Sequence, residues 1–163
     1  MASAPVALGS KTTTSEINVT KEPSYSSFLR PTEHSWATFA SSAVERTETI
    51  DVRRLDEIFD DLTAEIENPR VYLKMSTQGW DLEVLRGAEQ RLERVLALQS
   101  ELSLQPLYEG AVEFCEAISE LNRAGFAISG FFDRPHHHGF RLSEFDCVMI
   151  RTPREQPHVV RRW

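Results

Sequence analysis

Two short stretches of this chain bring together residue types that can move a proton or hold a small ligand. The first is Ser76-Thr77-Gln78-Gly79, a polar turn between the apolar run Val71 to Met75 and a helical stripe of Leu82, Leu85, Ala88 and Leu92. A polar turn at the carboxyl end of a parallel strand is where α/β folds gather their chemistry. Gly79 admits a backbone geometry closed to residues with side chains. The amides that open the following helix give the turn a positive character suited to a carboxylate or another anion.

The second stretch is Leu96 to Leu104, where Gln99, Glu101 and Ser103 alternate with Leu96, Leu98, Leu102 and Leu104. A parallel strand covered by helices on both faces should be apolar throughout. The polar row therefore implies a cavity, a polar network or water on one side. Glu101 can serve as a general base or bind a substrate hydroxyl; a carboxylate bonded to the amides of a neighbouring loop is the plainer alternative.

Other reactive residue types lack the setting their chemistry needs. His136-His137-His138 are adjacent on a loop and have no Cys or Asp cluster at zinc-ligand spacing, so they read as a solvated loop and no metal is expected. Ser26-Ser27 and Ser41-Ser42 are not in the Gly-x-Ser-x-Gly setting of a nucleophile elbow. There is no Walker loop and no complete GxGxxG.

The elements that must position these residues follow from periodicity. Val6 to Leu8, Glu16 to Val19 and Glu48 to Val52 are strand candidates, and Lys21 to Ser42 reads as a long loop rich in Ser, Thr and Pro. Leu55, Ile58, Phe59, Leu62 and Ile66 recur at helical spacing up to Asn68-Pro69. A third helix spans about 111–124 and stops at Gly125. Phe126 to Phe132 and Phe145 to Ile150 are the last strands, an antiparallel pair because no crossover helix joins them. From residue 48 the order predicts an α/β fold with a mainly parallel sheet, helices on its faces and an antiparallel last strand. Residues 1–47 form short strands and a long loop, 48–151 the main domain, and 152–163 a frayed tail.

With 163 residues there is enough chain for one domain. A formal charge of −7 argues against nucleic acid or an anionic membrane as the main partner. No apolar run approaches a membrane span, and the first twenty residues lack the order of a secretion signal. Cys115 and Cys147 sit in apolar stretches and read as buried thiols in a reducing cytoplasm.

The stretch 73–88, LKMSTQGWDLEVLRGA, resembles the signature of the FkbM-type methyltransferases. In that family a strand ending in Lys-Ile-Asp is followed by a polar residue, Gln or Glu, Gly, and a helix carrying Leu-x-Gly-Ala. The resemblance runs through Lys74, Gln78, Gly79, Glu83, Leu85, Gly87 and Ala88. It continues in Gln99 to Ser103, Pro106 to Gly110, Ala124-Gly125-Phe126 and Asp146 to Met149, with shorter pieces at Val6 to Gly9 and Ser26-Ser27. In all it covers about residues 5–151.

The resemblance implies a Rossmann-like fold and methyl transfer from S-adenosylmethionine to a hydroxyl of a sugar or other small-molecule acceptor. It implies catalytic roles for Ser76 and Glu101, cofactor contacts from Leu8, Ser76 and Gln78, and substrate contacts from Thr77 and Tyr108. Two departures stand out. Ser76 occupies the family's aspartate position, and a hydroxyl is no general base near neutral pH. The family's Asp-x-Gly-Ala-Asn turn and the acid that holds the cofactor ribose have no counterpart before residue 48, so the fold should be partial, lacking the first strands.

Two readings follow. The chain is a methyltransferase by family that needs a missing N-terminal half and is inactive alone, or it is a degenerate remnant acting as an interaction or small-ligand-binding module. In either, strand 71–75 has an unpaired edge prone to recruit another chain, such as a second copy.

Overall fold

A computed structural model describes residues 6–133 and 142–152. The histidine run at 136–138 and the tail beyond Thr152 lie outside the described residues. The strands are β1 (Ala7–Leu8), β2 (Thr13–Thr20), β3 (Val44–Arg53), β4 (Val71–Met75), β5 (Val95–Ser103), β6 (Phe126–Asp133) and β7 (Glu144–Arg151). The α-helices are α1 (Glu33–Thr38), α2 (Leu55–Thr63), α3 (Asp81–Gly87) and α4 (Phe114–Arg123).

The strands divide into two sheets, ordered β1-β3-β2 and β4-β5-β7-β6. In the larger sheet β4 and β5 pair in parallel, while β7 runs antiparallel to both β5 and β6. Strands β4, β5 and β6 therefore share one direction and β7 opposes them. The antiparallel last pair agrees with the sequence reading. A mainly parallel ladder does not: β7 inserts between β5 and β6, so among the described residues of this sheet only β4–β5 is bonded in parallel.

The strand at 48–52 also departs from expectation. It extends to Val44–Arg53 and joins the small sheet, pairing antiparallel with β2 along nearly the whole length of β2. Its sequence, VERTETIDVR, is mostly solvent-exposed. Such a strand cannot occupy the interior of a parallel sheet, which needs apolar side chains on both faces.

Helices α2, α3 and α4 pack on one face of the large sheet. Phe59, Val84, Leu85, Ala117 and Leu121 meet Met75, Leu98, Phe126, Cys147 and Met149 in one continuous core. On the opposite face Tyr72, Ile150 and Phe132 are 51%, 49% and 57% exposed. Helices were expected on both faces; among the described residues they cover one. Helix α2 ends at Thr63 rather than reaching Asn68, because Ile66 is 57% exposed and has no core to enter. Strand β4 is an edge, bonded among the described residues to β5 alone.

The segment 21–42 is more structured than a loop. Thr32 caps α1 by accepting the Ser35 amide at 3.1 Å. Backbone bonds from Thr32 N to Leu107 O (2.9 Å) and from Glu109 N to Arg30 O (2.8 Å) stitch the segment to the loop after β5. A second small core of Phe39, Leu107 and Tyr108 forms at that seam. Hydrogen bonding through Thr32 and the scattered aromatics replaces the missing periodicity.

The turn after β1 docks on α3 through close backbone approach. A Cβ at Gly87 would lie 2.0 Å from the carbonyl oxygen of Gly9. The Ser10 hydroxyl donates to Glu83, one helical turn earlier. Alanine is the better helix former by about 1 kcal/mol, but overpacking a rigid backbone contact costs roughly 1–3 kcal/mol or more. Gly87→Ala should therefore lower the melting temperature by about 2–6 °C in a thermal denaturation experiment. A rise would mean that helix propensity outweighs the contact.

Candidate functional site

The polar turn after β4 is built on two successive left-handed residues, Gln78 (φ 53°) and Gly79 (φ 84°). Gly79 has little room for a side chain: an added Cβ would meet Ala111 Cβ at 3.0 Å and Leu29 Cδ1 at 3.2 Å. Gln78 has a side chain and pays on the order of 1–2 kcal/mol for its conformation. Both of its ends are held. The Ser27 hydroxyl donates to the Gln78 carbonyl at 2.8 Å, and Gln78 Nε2 donates to Glu101 Oε1 at 3.2 Å.

Glu101 is 8% exposed near the end of β5. Its other oxygen, Oε2, accepts from Ser76 Oγ at 2.6 Å. Three of the residues singled out from the sequence, Ser76, Gln78 and Glu101, are thus joined in one contact. The parallel register sets Met75 beside Ser100, which brings the residues that follow each of them together at the strand ends.

Beneath that contact lies Asp81, which the sequence reading did not single out. Its Oδ1 accepts from the Thr77 amide at 3.0 Å and from the Thr77 hydroxyl. Its Oδ2 accepts from Ser100 Oγ at 2.6 Å and from the Glu101 amide at 3.2 Å. Burial pushes this carboxyl above the usual carboxylate range, while the hydroxyl and amide donors pull it back in part. The available signal was an acid two residues after Gly79, which also reads as an ordinary charge in a first helical turn.

Tyr108 is 3% exposed, and its hydroxyl donates to the Tyr25 carbonyl at 3.0 Å. Burial, reinforced by Glu144 and Glu101, raises its ionisation well above the ordinary phenol range, so it stays neutral. Burial likewise pushes Cys147 up to about 11.

Two clefts flank the Ser76–Glu101 contact. One, of about 180 Å³, opens at the carboxyl ends of the strands between the starts of α3 and α4, with Gly79, Glu101, Tyr108 and Phe114 in its wall. The other, of about 330 Å³, lies along the outer edge of β4 and is lined by Leu8, Phe28, Ser76, Thr77 and Trp80. The candidates divide accordingly: Leu8, Ser76 and Thr77 face the β4 cleft, Glu101 and Tyr108 the other, and Gln78 is buried at the partition. Trp80 was also missed. Its ring lies 5.0 Å from that of Phe28, and its buried Nε1 has no hydrogen-bond partner among the described residues. Among those residues no cluster of His, Cys, Asp or Glu could hold a metal ion, and no helix is long and apolar enough to cross a membrane.

The raised Asp81 carboxyl makes stability depend on pH with a definite sign. Between its unfolded and folded values the native state binds more proton than the unfolded chain, so stability falls as pH rises through that window. Asp81→Asn removes the titration. It also turns one amide donor toward Ser100 or Glu101, a mismatch costing about 1–3 kcal/mol. Melting temperatures measured upward from pH 4 should fall more steeply for the native protein than for Asp81→Asn. Parallel curves would show that Asp81 does not carry the dependence.

The family model of the methyltransferase FkbM domain matches residues 2–128. The match takes in the small sheet, the turn after β4 and the polar end of β5, and it stops inside β6. No curated protein and no solved structure matches the chain. With most of its length under one family model, and with that family's Gln-Gly turn set against a buried glutamate, the chain belongs to the FkbM methyltransferase family.

Proposed function

We propose that this chain forms the acceptor side of a methyl transfer to a hydroxyl of a small molecule. Glu101 takes the proton of that hydroxyl, and Ser76 and Gln78 hold its two oxygens in place. The observation that carries the reading is the Ser76–Glu101–Gln78 contact at the carboxyl ends of parallel strands, with a cleft on either side. Crevices at that end of a parallel sheet are where α/β folds bind ligands. The common direction of β4, β5 and β6 and the opposed β7 support reading the large sheet as part of a Rossmann-like fold.

S-adenosylmethionine supplies the methyl group in the chemistry of this family. The β4 cleft offers it apolar walls in Leu8 and Phe28 and a spare indole donor in Trp80. Its described lining carries Lys74 and no carboxylate. A sulfonium cation and a ribose diol both favour a nearby acid, so these residues do not fit the whole cofactor. For that reason we infer that the chain by itself is inactive, and that the outer edge of β4 is where a further segment or a second copy would add. The Ser76 hydroxyl in place of the family's aspartate favours a second reading, a degenerate module that binds small ligands without turnover. Cys147 is buried as expected, whereas Cys115, read from its apolar stretch as a buried thiol, is exposed on α4; two free thiols suit a reducing cytoplasm.

Titration with S-adenosylhomocysteine tests the reading by two observables. Calorimetry should give no heat at micromolar ligand; measurable heat would overturn the inference of inactivity. At high ligand concentration, amide shifts in a nitrogen–proton correlation spectrum should gather at Leu8, Thr77 and Trp80. Shifts elsewhere, or none, would remove the β4 cleft from the donor side.

A further inference from the structure

The cleft at the end of β5 has a composition that selects its ligand. Its described lining includes Asp81, Glu101 and Glu113 but no lysine, arginine or histidine. Most of the remaining wall is apolar, including Leu82, Leu102 and Phe114. The space of about 180 Å³ is close to that of a dry cavity of about 150 Å³ that takes up benzene. It holds roughly one ring.

Opposing this reading, α3 and α4 both begin at the cleft, and helix starts attract anions. Each contributes about half a positive charge at most. Acidic side chains already lie near those starts: Asp81 is in the first turn of α3, and Glu113 is at the N-cap position of α4 with Glu116 in its first turn, although neither helix start has a side-chain cap bond. Glu101 and Glu113 give the described lining an acidic character that opposes these two partial positive charges, and Asp81, 5% exposed with its carboxyl pushed up by burial, adds least to it. An incoming phosphate or carboxylate would meet like charge in a confined, partly apolar space.

We propose that the acceptor of this site is a single-ring or short-chain apolar compound without negative charge, neutral or amine-bearing, and not a phosphorylated or nucleotide-linked sugar. The inference rests on the acceptor-side reading above and names the class that reading leaves open. The hydroxyl or amine of such a ring would be held toward Glu101, with its apolar part against Leu102 and Phe114.

Three probes that share a ring decide it: benzyl alcohol, benzylamine and benzyl phosphate, each titrated into the full chain with amide shifts followed at Gly79, Leu102, Ala111 and Phe114. The alcohol and the amine should move these amides, and the phosphate should need at least ten-fold more ligand. Glu101→Gln should narrow that gap several-fold by removing one of the opposing charges. Ala111→Trp, which fills the cleft, should abolish the shifts. Equal or tighter binding of the phosphate at these amides would overturn the proposal, as would an unchanged gap in Glu101→Gln or probe shifts that survive Ala111→Trp. The donor-side result reads different amides. A phosphate preference here, with S-adenosylhomocysteine still mapping to Leu8 and Thr77, would sink the acceptor class and leave the transfer reading standing. Probe shifts here with none at the β4 cleft would do the reverse.

Discussion

A single buried carboxylate sets the geometry on which the rest of the carboxyl-side architecture depends. Asp81 is 5% exposed and gathers four donors, two from Thr77 in the turn after β4 and two from Ser100 and Glu101 in β5. A buried acid is costly to desolvate unless its lone pairs are filled, and here each oxygen receives two bonds. The arrangement fixes the start of α3 relative to β5, and so fixes the distance from Ser76 to Glu101. Without it the left-handed pair Gln78-Gly79 would rest on the Trp80 amide bonded to the Thr77 carbonyl at 3.2 Å, on Ser27 and on the Gln78 side-chain amide. The strain at Gln78 is tolerated because its surroundings over-determine it.

The stretch 73–88 serves two physical purposes that a motif alone does not separate. Ser76, Thr77 and Gln78 face the clefts or the partition between them. Glu83 and Gly87 face away, toward the turn after β1, where one bonds Ser10 and the other yields space to the Gly9 carbonyl. The glycine is required by backbone contact rather than by helix chemistry. The same stretch thereby anchors the small sheet beside β4 and forms the far wall of the cleft in which Leu8 and Phe28 lie. The segment 21–42 completes the enclosure on the other side, through Thr32 and through the Tyr108 hydroxyl bonded to Tyr25.

Periodicity made the strongly patterned elements legible. Val71–Met75 was readable to the residue, and α4 with its Gly125 stop (φ 91°) nearly so, because an apolar run and a left-handed glycine are local signals. The Gln99–Glu101–Ser103 alternation also pointed to a polar face, and that face carries Glu101. What stayed hidden depended on partners distant in the chain. The polar sequence of Val44–Arg53 excludes the interior of the large sheet, but nothing near it names β2 as its partner. Asp81 gains its role only when Ser100 and the Glu101 amide come within reach, nineteen and twenty residues later. Trp80 looks like an apolar helix residue until Phe28 and the cleft are set beside it. Order in the 21–42 segment comes from cross-chain bonds to residues 106–109, which leave no period to read.

The serine at position 76 changes the chemistry of the site in a specific direction. An aspartate there would set a second carboxylate against Glu101, where the hydroxyl now lies 2.6 Å from Oε2. Two carboxylates that close cannot both ionise near neutral pH; one keeps a proton and the pair titrates as a unit. Serine avoids that conflict by donating to Glu101 at no cost in charge. What is lost is the second negative group, and it is lost on the side of the β4 cleft, whose described lining already carries no acid. On the proposed reading, the proton-accepting half of the chemistry would keep its glutamate, the Ser76 and Gln78 donors and the adjoining cleft. If the β4 cleft is the donor side, as proposed, the shortage falls on stabilising a positively charged donor, and any deficit in turnover would arise at the β4 edge and not at Glu101.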